Sequence, residues 1–160
     1  MKTKLLVFSM LIFAALFSAT GCSKDDNQGE ILYTDWFYPS SWQGSMGNWY
    51  FIWNEKNINQ DVIDNGAVLA YVKITGDLVQ ERTLPTTLGT ANWGFQITDI
   101  GEMMFTTDMN YGTPSTGNAF RYIIIKGGKH LKTAGISNTD IDKLKNMSYS
   151  DACNALGIPE

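Results

Sequence analysis

Runs of β-branched and aromatic residues, each shut off within about nine positions by proline, glycine or asparagine, limit this chain more than any other feature of its sequence. "ILYTDWFY" (31–38) stops at Pro39. "NWYFIWN" (48–54) alternates, so that Trp49, Phe51 and Trp53 share one face while Tyr50 and Ile52 take the other. Apolar residues on both faces predict a strand covered on both sides. "AVLAYVKI" (67–74) reads as a central strand, "TGD" (75–77) as a turn, and "LVQERTL" (78–84) as a further strand ended by Pro85. "NWGFQITDI" and "EMMFTTDM" flank Gly101 as a hairpin, with Trp93, Phe95 and Ile97 on one face, and Met103 with Phe105 likewise. "NYGTPSTGN" (110–118) is the longest loop, and "AFRYIIIKG" (119–127) the most strand-like run, with Phe120, Tyr122 and Ile124 on one side.

Helical signals are few and short. In "INQDVIDNG", Asn59 is placed to N-cap a helical turn that Asn65-Gly66 would close in the left-handed conformation. Residues 139–146 set Ile141, Leu144 and Lys145 at helical spacing. Ser148 then opens a capping-box-like start with Asp151 three residues on. Tyr149, Ala152, Cys153 and Leu156 follow at i, i+3, i+4 and i+7, and Gly157-Ile158-Pro159 stops the helix. The whole pattern predicts an all-β domain over 31–160: an antiparallel β-sandwich of about seven strands, finished by short C-terminal helices.

Residues 1–30 are of another kind. Lys2 and Lys4 precede an apolar stretch, 5–17, broken only by Ser9. At about 1.5 Å per residue this stretch is too short for a hydrocarbon core of about 30 Å, and it has the length of a secretory signal. Ala19, Thr20 and Gly21 are small enough for a signal peptidase, and Cys22 follows at once in "FSATGCSKDDN". This pattern resembles the lipobox of bacterial lipoproteins, although Ala19 stands where leucine is typical. The resemblance implies removal of residues 1–21, acylation of Cys22 and a tether over 22–30. One acyl chain holds a protein only marginally, whereas two or three make attachment effectively permanent. "SKDDN" (23–27) resembles the acidic surface-export signal of Bacteroidota lipoproteins. That implies an outer-membrane protein displayed at the cell surface; the alternative is a periplasm-facing domain on a solvated tether.

Cleavage would remove two lysines and no acid, taking the formal charge from −4 to −6. An acidic chain whose one basic stretch is "KGGKHLK" (126–132) is a poor partner for nucleic acid, where lysine and arginine must neutralise phosphates. Only Cys22 and Cys153 exist. With the first acylated, the second has no intramolecular partner, and stability must come from the core.

Several stretches together resemble a family of uncharacterised Bacteroidota lipoproteins: "DWFYPSSW", "WYFIWNEKNINQDVIDNGAVLAYVK", Leu84-Pro85, "FRYIIIKGG" and "MSYSDACNALGIPE". The family often has proline at the position of Lys126. The resemblance implies a β-rich domain on a lipid tether and carries no reaction, cofactor, ligand or site residue.

Candidate chemistry is sparse. His130 is the only histidine, so a Ser/His or Cys/His nucleophile would need it. It sits in a Gly/Lys-rich turn, while Cys153 lies on an apolar helical stripe where burial makes a thiol inert. "NTDID" (138–142) spaces oxygen ligands by two, yet Lys143 and Tyr149 fall where a calcium loop needs glycine and glutamate. One histidine and one buried cysteine do not make a zinc shell. Asp61, Asp64 and Glu102 show no spacing that argues for a glycosidase pair, and "KGGK" lacks the form of a phosphate loop. These readings exclude no fold but point away from an enzyme, a metal and a cofactor. Trp36, Trp42, Trp49 and Trp53 are the feature that remains. Trp49 and Trp53 belong to a strand face and to the core. Trp42, in "PSSWQGSMG", either presents its indole from a loop, with Trp36 nearby, or folds back over the sandwich edge. The expectation is a binding module for a glycan or an envelope protein, with a ligand-free structural component and an unrecognised hydrolase as alternatives.

Overall fold

The computed structural model describes residues 30–127 and 138–160, and in them two antiparallel sheets lie face to face. The strands are β1 (Ile31–Tyr33), β2 (Gln43–Ser45), β3 (Asn48–Asn54), β4 (Ala67–Lys73), β5 (Arg82–Thr83), β6 (Thr86–Leu88), β7 (Ala91–Asp99), β8 (Glu102–Thr107) and β9 (Ala119–Ile125). Among the described residues three helices accompany them: α1 (Gln60–Asn65), α2 (Asn138–Lys145) and α3 (Tyr149–Leu156). One sheet has the order β1-β9-β4-β5, the other β2-β3-β8-β7-β6. The predicted all-β sandwich with C-terminal helices is therefore the observed fold.

Strand alternation fills the space between the sheets. Phe51, Trp93, Met103 and Phe105 come from the five-stranded sheet, and Val72, Phe120, Tyr122 and Ile124 from the four-stranded one. Phe51 stacks on Phe105 at 5.0 Å and meets Phe120 edge-on at 4.9 Å, arrangements that add to plain area burial. The other residues of β4 and β9, including Leu69, Tyr71, Ile123 and Ile125, face away and are roofed by Ile141, Leu144, Tyr149, Ala152 and Cys153. All seven residues of β9 are buried as a result. The molecule is thus a sandwich with a third, helical layer on one side.

Ser148 and Gly157 set the ends of α3 as their residue types suggest. The Ser148 hydroxyl accepts the Asp151 N–H at 3.2 Å, and Gly157 takes the left-handed conformation at φ 65°. At α1 the expectation holds at one end only. Asn59 accepts the Val62 N–H at 3.0 Å, but Gly66 is extended, at φ −102° and ψ −162°, not left-handed. Glycine is needed there for room: a Cβ would stand 2.5 Å from the Ile125 carbonyl oxygen.

Three further expectations are corrected. Among the described residues β3 is covered on one face only, because the described C-terminal helices roof the other sheet; Ile52 is 37 % exposed while Phe51 is 4 %. Double cover belongs to β4 and β9. Of residues 78–84 only Arg82–Thr83 pairs, and Leu78 is 99 % exposed. The Asp77 carboxylate organises that stretch as a loop by accepting the Val79 N–H at 3.1 Å and the Arg82 guanidinium. Finally, β2 and β6, three residues each, lie at the two edges of the larger sheet and raise the count among the described residues to nine.

Candidate functional site

Residues 36–42 cross from one sheet to the other, and alternation along them sends each aromatic to a different place. Phe37 exchanges both backbone hydrogen bonds with Phe120 at 2.8 Å and stacks on Trp53 at 3.9 Å, so it points inward. Trp36, one residue earlier, turns to the helical side. It packs 5.3 Å from the Tyr149 ring and carries the Lys73 ammonium 4.3 Å above its own. Tyr38, one residue later, remains 61 % exposed.

Trp42 folds back. It is 9 % exposed, meets Phe51, Trp93 and Phe120 edge-on at 5.1 to 6.0 Å, and donates its indole N–H to the Ser115 carbonyl at 3.3 Å. Of the two expected placements, the loop-presented indole is thus corrected. A large apolar ring beside an open sandwich edge is more stable closing that edge than standing in water. Trp36 and Trp42 belong to separate clusters on opposite faces of the smaller sheet and line no common groove.

A different opening lies beside them. β2 pairs with β3 only as far as Tyr50, so among the described residues no strand flanks 51–54 on the side away from β8. Between that stretch and residues 38–43 is a cleft of about 390 Å³. Tyr38, Ser40, Ser41 and Gln43 form one wall, and Phe51 to Asn54 the other. None of the lining side chains is charged: they offer hydroxyls, two amides and the Tyr38 ring.

Trp53, which lines the cleft, is held by a polar chain. Trp53 donates its indole N–H to the Tyr122 hydroxyl at 3.0 Å, and that hydroxyl donates to the Glu55 carboxylate. The other Glu55 oxygen accepts the Asn57 backbone and side-chain N–H groups at 2.9 and 2.7 Å. Burial, followed by the neighbouring Glu55, raises the Tyr122 phenol well above its ordinary range, so it stays a donor. Trp53 is therefore fixed in orientation, which lowers the ordering cost of any contact made to it.

The remaining candidates are placed as follows. Cys22 and His130 lie outside the described residues. Cys153 is a free, buried thiol whose titration is pushed up by desolvation. Asp140 and Asp142 pair along α2 with Lys143 at 3.5 Å and Lys145 at 3.8 Å. Asp61 accepts from Asn65 and Asp64 from Gln60, both within α1, while Glu102 accepts from Thr98 across the β7–β8 turn. Among the described residues, no three metal-ligating side chains converge. The cleft itself escaped sequence reasoning because it is a gap where a short strand ends. Its one signal was Tyr38 next to Pro39, out of phase with the inward Phe37.

No family model, curated protein or solved structure matches the chain.

Proposed function

We propose that this is a lipid-anchored, non-enzymatic binding module, held at the bacterial outer membrane through acylated Cys22 and displayed at the cell surface, whose cleft beside β3 takes an uncharged glycan. The address is supported by the apolar leader, the small residues before Cys22 and the acidic tether. The ligand class is carried by one observation: the cleft has an exposed aromatic ring among hydroxyls and amides, with no ionised side chain. A sugar offers the matching surfaces, an apolar C–H face for the ring and hydroxyls for the polar groups.

The test uses Trp53 as reporter, because it lines the cleft. A panel of neutral and acidic polysaccharides should shift tryptophan emission with the neutral members only. Tyr38→Ala should weaken that binding by roughly ten-fold or more, the worth of a stacked aromatic anchor. No response to any glycan, or a response that Tyr38→Ala leaves intact, would refute the assignment. Independently, Cys22→Ser should release the protein from membranes and abolish palmitate incorporation.

A further inference from the structure

On the outer face of the larger sheet, Tyr50, Thr106 and Gly94 form one row across β3, β8 and β7, and Ile52, Met104 and Gln96 form the next. Their neighbours along each strand fill the core, so these six point outward. Charged residues make up 18 % of the chain, and a face that met only water would carry its share. Yet the outward positions of all five strands are uncharged up to the β7–β8 turn, where Asp99 and Glu102 stand opposite each other. Asp108, just past β8, is taken up by Asn92. Gln43, Ile52 and Asn54 belong both to this face and to the cleft, so the two form one continuous uncharged surface.

Gly94 lies inside β7, where glycine weakens a strand. The fold does not call for it. Its φ is not positive, and an added Cβ would meet only the Thr106 Oγ1, at 3.4 Å, an ordinary contact. A mid-strand glycine that the fold can spare marks a place where an outside group approaches the backbone closely. We infer, resting on the glycan reading of the cleft, that the ligand is a linear neutral polymer whose chain leaves the cleft and crosses β3, β8 and β7 on this outer face. Neighbouring strands are about 4.8 Å apart, comparable with the repeat of a sugar chain, so successive rings fall over successive strands. Tyr50, Ile52 and Met104 meet the C–H faces, Thr106 and Gln96 meet hydroxyls, and the hollow at Gly94 admits the far end of the chain.

The probes are linear glucan and mannan oligosaccharides, from disaccharide to octasaccharide, titrated calorimetrically against the full chain. Affinity should rise with length, by about ten-fold in all, and level off once the face is spanned. Gly94→Val fills the hollow with a strand-favouring residue. It should remove that gain, leave the shortest members binding as before, and keep the melting midpoint at or above that of the natural chain. Tyr38→Ala should weaken every length alike. Equal affinity at all lengths, or a gain that survives Gly94→Val, would overturn the inference while Tyr38-dependent binding of the short members upheld the cleft. Absence of binding at every length would overturn both. A concentration-dependent dimer that Gly94→Val breaks would give the face to a second copy and overturn the inference as well.

Discussion

The outer faces of the two sheets are built to opposite ends. On the smaller sheet, Leu69, Tyr71, Ile123 and Ile125 are roofed by α2 and α3, and 0 to 2 % of each is exposed. On the larger sheet, Ile52 is 37 % exposed and no described helix covers it. One face has become an interior and the other stays a surface, although "NWYFIWN" looks as apolar on both sides as "AFRYIIIK" does. An apolar stretch shows that a strand can be covered. Whether it is covered depends on where the helices land.

Truncation on the roofed face should have the largest effect. Ile123→Ala removes a fully buried side chain and should cost about 2 to 5 kcal/mol, read from urea unfolding. A cost below about 1 kcal/mol would mean that the helical layer is loosely seated. Alkali should act on the same region next. Burial lifts the Cys153 thiol above 9.0 and pushes Tyr149 up to about 12, and it raises Tyr71 further. Unfolding returns these groups to their ordinary values, so above about pH 9 the unfolded chain binds fewer protons than the folded one. Stability should be full below that pH and fall as it rises toward 12. Tyr149→Phe should flatten the fall in urea titrations between pH 8 and 11, and an unaltered slope would assign the loss elsewhere. The smallest effect belongs to the open face: Ile52→Thr should change stability by at most about 0.5 kcal/mol. A larger loss there would erase the contrast between the sheets.

Much of this was legible in the chain, and the misses share a cause. Trp93, Phe95 and Ile97, or Phe120, Tyr122 and Ile124, could be assigned to a shared face because a strand's period of two is fixed by its backbone. α3 was legible from end to end, since Ser148, the i, i+3, i+4, i+7 stripe and Gly157 are all local signals. What did not show depends on distant partners. Trp42 sits where it does because Ser115, Phe51, Trp93 and Phe120 are brought to it. Leu78 and Val79 have strand-like side chains, but Asp77 and Arg82 close a loop across them. Of the cleft, only Tyr38 carried a sign, because its other wall is the stretch of β3 that β2 is too short to reach.

The register of β1 against β9, with Ile31 opposite Ile125, has a kinetic consequence. The larger sheet is built mostly from hairpins between neighbours in sequence, β2 with β3, β6 with β7 and β7 with β8, joined by the one longer pairing of β3 with β8. The smaller sheet waits for β9, one of its two central strands and the last of the described strands in sequence. Closing such long loops is slow compared with forming local hairpins. The nascent chain should therefore pass through a stage in which the hairpins are assembled while β1 and β4 have bare edges, and a holding chaperone would have its substrate there.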